Sequence, residues 1–202
     1  MTEKECIQAA ARGDRDAFAV LVEAYQDRVY RLALGMCRSE EDAWDVAQEA
    51  FFSAWRGLPA FRGEAGFATW LYRLTSNAAI DHLRKTKRQK GELPLDDPDN
   101  GPEPADLSPT PQERAEGAEL RSGVARAFGR LSEAHRQILS LRELQGLSYE
   151  EIGGVLELDA GTVKSRISRA RGALRKILLE DGNLSGYLPS NQKNNHRKEG
   201  RR

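Results

Sequence analysis

Two runs of basic side chains stand out in this 202-residue chain. Lys164, Arg166, Arg169, Arg171, Arg175 and Lys176 follow one another with no acidic residue between Thr162 and Lys176, and Arg84, Lys85, Lys87, Arg88 and Lys90 form a second cluster. Cationic groups at this density neutralise phosphates, so the chemistry on offer is attachment to a nucleic-acid backbone. The formal net charge is zero, because acids elsewhere balance the bases, with one concentration in Glu92, Asp96, Asp97, Asp99, Glu103, Asp106, Glu113, Glu116 and Glu119. Charge divided by segment is expected when particular faces meet phosphate.

Residues for covalent or metal chemistry are sparse. There is no Gly-rich phosphate loop and no HExxH, and the histidines, His82, His135 and His196, do not stand at ligand spacing with the cysteines. Asp42, Asp45 and Glu49 could bind a metal on paper, but carboxylates beside an apolar helical stripe are commoner as surface groups. Cys6 and Cys37 form no CxxC pair, so neither a disulfide framework nor a zinc site is indicated. The expectation is a binding protein without cofactor or metal.

The elements that must carry the basic runs are helical. Phe18, Leu21, Val22, Tyr25, Val29, Leu32, Ala33 and Met36 recur at spacings of three and four. A second stripe runs through Ala43, Val46, Ala47, Ala50, Phe51, Ala54 and Trp55 to Leu58-Pro59, and a third through Phe67, Trp70, Leu71, Leu74, Ala78 and Leu83. These predict one small bundle over residues 1–90. Residues 91–111, GELPLDDPDNGPEPADLSPTP, hold most of the prolines and read as an acidic flexible linker. Periodicity resumes at Leu120, Val124, Phe128 and Leu131, continues through Ile138, Leu139 and Leu141, and ends in two shorter helices from Ser148, a second bundle over 112–181. Residues 182–202 form a polar basic tail, expected to be disordered. The predicted fold class is all-α: two small helical bundles joined by an acidic Pro-rich linker, the second ending in a helix-turn-helix. No run approaches the roughly 20 apolar residues of a membrane span. The start, MTEKECIQAAARGD, has no signal-peptide pattern, so a cytoplasmic protein without membrane insertion is expected.

Ser148 to Glu151 spells the S-x-x-E capping box that begins a helix. Ile152, Val155 and Leu156 give that helix its apolar face, Glu157 to Gly161 a short turn, and TVKSRISRARGALRK a second helix. Val163, Ile167, Ala170, Leu174 and Ile177 occupy one side of it, leaving Thr162, Lys164, Ser165, Ser168, Arg169 and Arg175 largely outward. A capped helix, a tight turn and a helix with a basic outer face predict a DNA-reading helix-turn-helix. Lysine and arginine would serve phosphates, and Thr162, Ser165, Arg166 and Ser168 base edges. The stretch LSYEEIGGVLELDAGTVKSRISRARGALRKIL resembles the domain of bacterial sigma factors that reads the promoter −35 element. It departs from the family at Glu157 and Asp159; a left-handed Glu157 would cost about 1 kcal/mol relative to glycine.

Two further stretches are similar to the same family, in its extracytoplasmic-function (ECF) group within the sigma-70 superfamily. DAWDVAQEAFFSAW, residues 42–55, resembles the helix that docks on the clamp helices of RNA polymerase, with Asp45, Gln48, Glu49 and Phe52 sharing one face. Trp44 departs from an acidic position. GFATWLYRLTSNAAIDHLRKTKR, residues 66–88, resembles the helix that binds and opens the −10 element. Its Phe67 and Trp70 are expected in the core, and Tyr72, Arg73, Ser76, Asn77, Asp81, Arg84 and Arg88 in an outward polar track. The resemblance implies that Arg62, Gly63, Glu64 and Ala65 hold an extruded −10 base, that Glu92 through Asp106 thread toward the RNA exit path, and that core RNA polymerase, promoter DNA and an anti-sigma factor are partners. The competing expectation is a helix-turn-helix repressor or activator that acts on duplex DNA without polymerase.

Overall fold

The computed structural model describes residues 1–63, 66–89 and 116–180, with side chains in the last segment from 122 onward. The expected linker at 91–111, the basic tail at 182–202, and Glu64 and Ala65 lie outside the described residues. Among those described there is no strand.

Four helices precede the linker: α1 (Glu3–Ala11), α2 (Arg15–Cys37), α3 (Glu40–Gly57) and α4 (Phe67–Gln89). Side chains at the boundaries start them. Thr2 and Glu5 form a reciprocal capping box on α1, Asp14 accepts from the amides of Asp16 and Ala17 at the start of α2, and Ser39 accepts from Asp42 at the start of α3. Helix α1 was not among the expected elements, although its T-x-x-E signal is legible. A 3₁₀ turn, Leu58–Ala60, ends α3 at Pro59.

Four more follow: α5 (Glu116–Gly129), α6 (Glu133–Leu139), α7 (Tyr149–Leu156) and α8 (Ala160–Glu180), with a π-helical turn over Ser140–Leu144 after α6. Helix α8 has 21 residues, so the expectation of two short closing helices holds only for α7. Among the described side chains of α5, Gly123 and Ala127 are buried, Phe128 is half-buried against the core, and Val124 is exposed. Two of its buried positions are small residues, which an apolar-stripe reading passes over.

The core has two parts. One is confined to the N-terminal helices, where Cys6, Leu21, Tyr25, Val29, Ala50, Leu58, Phe67 and Leu71 pack together. The other joins both halves: Leu32, Ala33, Met36, Val46, Tyr72 and Ala79 lie in one cluster with Leu131, Leu139, Leu141, Ile152, Val163 and Ile167. Helix α4 packs on α7, and α2 on α6 and the π-turn. Arg136, buried in the second half, donates to the carbonyls of Gly129 (3.3 Å) and Leu131 (2.6 Å) and so closes the end of α5. Burial pulls its guanidinium down to about 10, still protonated at neutral pH.

Candidate functional site

The helix-turn-helix is built from side-chain caps at both of its starts. Ser148 Oγ accepts from Glu151 N (3.1 Å) while the Glu151 carboxylate takes the Ser148 amide (2.8 Å), as the capping box requires. Helix α7 then ends at Glu157, which sits left-handed at φ 56°. Gly153 permits the turn: a Cβ there would meet the Leu158 carbonyl oxygen at 2.7 Å. Asp159 starts α8. Its carboxylate accepts from Thr162 N (2.9 Å) and Thr162 Oγ1 (2.5 Å), and its carbonyl receives the Val163 amide. These hydrogen bonds hold the Asp159 carboxyl below its ordinary range. The turn is therefore shorter than expected, and one departure from the family pattern is itself a helix cap.

On α8, Val163, Ile167 and Ala170 are buried while Lys164, Ser165, Arg166, Ser168 and Arg169 are exposed. Thr162 is half-buried and engaged by Asp159, so it presents less than an outward side chain would. Arg169 lies back along the helix toward Ser165, 3.4 Å to the Ser165 carbonyl and 3.4 Å to its hydroxyl. Arg171 differs from its neighbours. Glu143 on the π-turn takes its guanidinium at 3.0 and 2.6 Å, so this cation braces α8. No such signal was legible, because the partners stand 28 residues apart.

The α4 track divides. Asn77, Asp81, Arg84 and Arg88 are exposed and Arg73 is half-exposed, as expected. Tyr72 and Ser76 are not outward: they are 3% and 1% exposed. The physical reason is that α4 is packed by α2 as well as by α7 of the second half. Tyr72 lies in the shared core, where Glu151 of α7 and Arg28 of α2 act on its hydroxyl, and burial raises its pKa. Phe67 is buried and Trp70 half-buried, and both ring systems pack with Phe61 at 4.8 to 6.0 Å. This aromatic cluster packs beside the loop ahead of α4, in which Arg62 and Gly63 (φ 74°) are exposed.

On α3, Asp45, Gln48, Glu49 and Phe52 are all exposed on one face. Phe52 is 55% exposed, with the Arg56 guanidinium 4.8 Å over its ring. Trp44, 60% exposed, stacks on Tyr30 at 4.6 Å. A groove between α2 and α3 is lined by Val22, Gln26, Trp44, Asp45, Gln48 and Phe51. Val22, read from sequence as core, is one wall of it. Exposed aromatics thus stand beside carboxylates and an amide on this face. Asp42, also considered for a metal, instead meets His82 at 2.8 Å, and no group of three or more metal-ligating side chains exists among the described residues.

Two family models match the chain, one in each half. Sigma-70 region 2 matches residues 21–89, and sigma-70 region 4 matches residues 122–174. The chain is 37% identical over 180 residues to the RNA polymerase sigma-H factor of Pseudomonas aeruginosa, covering 87% of this chain and 93% of that one. The chain belongs to the ECF group of the sigma-70 family. The ECF RNA polymerase sigma factor SigW of Bacillus subtilis is 35% identical over 187 residues, 89% of this chain and 98% of that relative. Among solved structures, CnrH in complex with the cytosolic domain of CnrY superposes with a TM-score of 0.65 at 26% identity, over 89% of this sigma factor and 98% of CnrH. As an ECF sigma factor, the protein is a DNA-binding regulator that directs transcription initiation. No helix among the described residues is long and apolar enough to cross a membrane.

Proposed function

We propose a division of labour within this sigma factor. Residues 1–90 dock on core RNA polymerase and capture the −10 element, residues 112–181 read the −35 element, and 91–111 connect the two. Asp45, Gln48, Glu49 and Phe52 meet the polymerase clamp. Arg62, Gly63, Glu64 and Ala65 hold a −10 base, and Arg73, Asn77, Asp81, Arg84 and Arg88 follow the strand, with Tyr72 and Ser76 joining once uncovered. Thr162, Lys164, Ser165, Arg166, Ser168 and Arg169 serve the −35 duplex. The protein acts in the cytoplasm as a binding subunit, and the chemistry of transcription belongs to the polymerase. An anti-sigma factor is the expected regulator; the similar fold of CnrH was solved with a protein partner seated on it.

The observation that carries this reading is one chain holding both a basic outer face on α8 without an acid from Thr162 to Lys176 and an exposed aromatic and carboxylate face on α3. A duplex-binding repressor would need only the first. The test is a variant carrying Asp45→Arg and Phe52→Ala. It should lose core polymerase affinity while the whole protein keeps its affinity for −35 duplex DNA. Unchanged polymerase affinity would remove α3 as the docking face.

A further inference from the structure

At the start of α8 the hydroxyl protons are already spent within the chain. Thr162 Oγ1 donates to one carboxylate oxygen of Asp159 at 2.5 Å, while the Thr162 amide donates to the other at 2.9 Å. Ser165 Oγ donates to the Thr162 carbonyl at 3.0 Å. A carboxylate and a carbonyl only accept, so each hydroxyl keeps nothing but its lone pairs for an outside partner. The Ser165 oxygen meets the Arg169 guanidinium at 3.4 Å, whereas the Thr162 oxygen accepts from no side chain among the described residues. The Asp159 carboxylate is exposed, ionised at neutral pH and likewise an acceptor. Gly161 leaves it uncovered: a Cβ there would stand 3.1 Å from Asp159 Oδ1. Lys164, Arg166 and Arg169, all exposed on the turns that follow, carry donors only. An acid is repelled by phosphate, and capping does not call for one, because serine caps a helix as well as aspartate does without a charge.

Acceptors select donors. In the major groove the amino donors are adenine N6 and cytosine N4, whereas guanine N7 and O6 and thymine O4 accept. We propose that Asp159 and Thr162 together read a base amino group in the −35 element, taking adenine or cytosine on the strand that the first turn of α8 faces and rejecting guanine and thymine there. The inference rests on the −35 reading of α8 and adds to it the sense of selection. Asp159 fixes the polarity of Thr162 by taking its proton, and acceptor set against acceptor excludes the wrong base by repulsion.

The test assembles the full chain with core RNA polymerase, captures duplexes from a library randomised over the −35 segment of a promoter that it transcribes, and sequences them. Thr162→Val keeps the shape and the amide cap but has no oxygen to offer. Asp159→Asn keeps a cap, and its amide nitrogen donates to Thr162 Oγ1, which turns the hydroxyl proton outward. The unsubstituted chain should enrich adenine or cytosine about tenfold over guanine and thymine at one position, and both variants should lower that preference to about twofold or less at the same position while the others hold. A Thr162→Val protein that leaves every position unchanged overturns the inference, as does enrichment of guanine or thymine by the unsubstituted chain at the position that Thr162→Val relaxes; the −35 reading survives both results. A library in which no position is enriched removes the −35 reading of α8 and the inference with it. Should Asp159→Asn lose preference at every position, the helix has frayed, and Thr162→Val, whose cap is intact, decides alone.

Discussion

Glu157 holds a backbone conformation that its side chain opposes, at φ 56° between the two helices of the DNA-reading motif. Replacing it with glycine removes the clash of Cβ with the following carbonyl. Glu157→Gly should therefore stabilise the chain by about 1 kcal/mol, read as a rise in the thermal midpoint; a fall would show that the carboxylate contributes something the backbone strain conceals. Two arginines two positions apart separate by role in the same way. Arg169 is exposed and offers its charge outward, whereas Arg171 is held by Glu143. Arg169→Ala should flatten the dependence of log affinity on log salt by about 0.9 for each phosphate that the guanidinium neutralises. Arg171→Ala should leave that slope alone and lower stability by at most about 1 kcal/mol, because its ion pair is half-exposed. Equal salt slopes for the two variants would erase the distinction.

Among the elements, α8 begins at a carboxylate. Asp159 is depressed in the folded state by bonds from Thr162, so the stability it contributes is complete above the ordinary aspartate range and is lost as pH falls through its lowered value. Acid should fray the first turn of α8, which carries Thr162 and Lys164. Hydrogen exchange of the Thr162 amide at low pH should exceed that of the core amides of the same helix, and Asp159→Asn should weaken this pH dependence. Much of this element was legible beforehand. Ser148 and Glu151 announced α7, and the spacing of Val163, Ile167 and Ala170 announced the buried side of α8, because both signals lie within one helix. Asp159 was legible only as a departure from a family pattern, although aspartate is a good N-cap in its own right. The misplacement of Tyr72 and Ser76 has another cause. Polar residues on one side of α4 read as a wet face, and what dries them is packing from other helices, α2 and also α7, which lies more than 70 residues away in sequence. The Arg171–Glu143 bridge was hidden for a like reason, its partners standing apart in sequence.

The whole molecule presents surfaces of unlike chemistry at separate places. Basic residues and hydroxyls cover the outer side of α8, a cationic track runs along the end of α4, and exposed aromatics beside carboxylates mark α3. Zero net charge conceals this arrangement, since acids in other segments, among them those between Glu92 and Glu119, balance the basic runs in the total alone. Separate faces make separable losses: Phe52→Ala should weaken polymerase binding by about tenfold, the loss expected of an exposed aromatic anchor at an interface, and leave duplex DNA binding unchanged, checked by titrating each partner alone. The central claim is that both kinds of face act in one initiation event. It is tested most directly by adding the purified chain to core RNA polymerase with a library of genomic promoters and sequencing the transcripts. The account predicts discrete start sites that share two upstream elements, and their loss in the Asp45→Arg, Phe52→Ala variant. Stable binding to duplex DNA with no added transcription would contradict it.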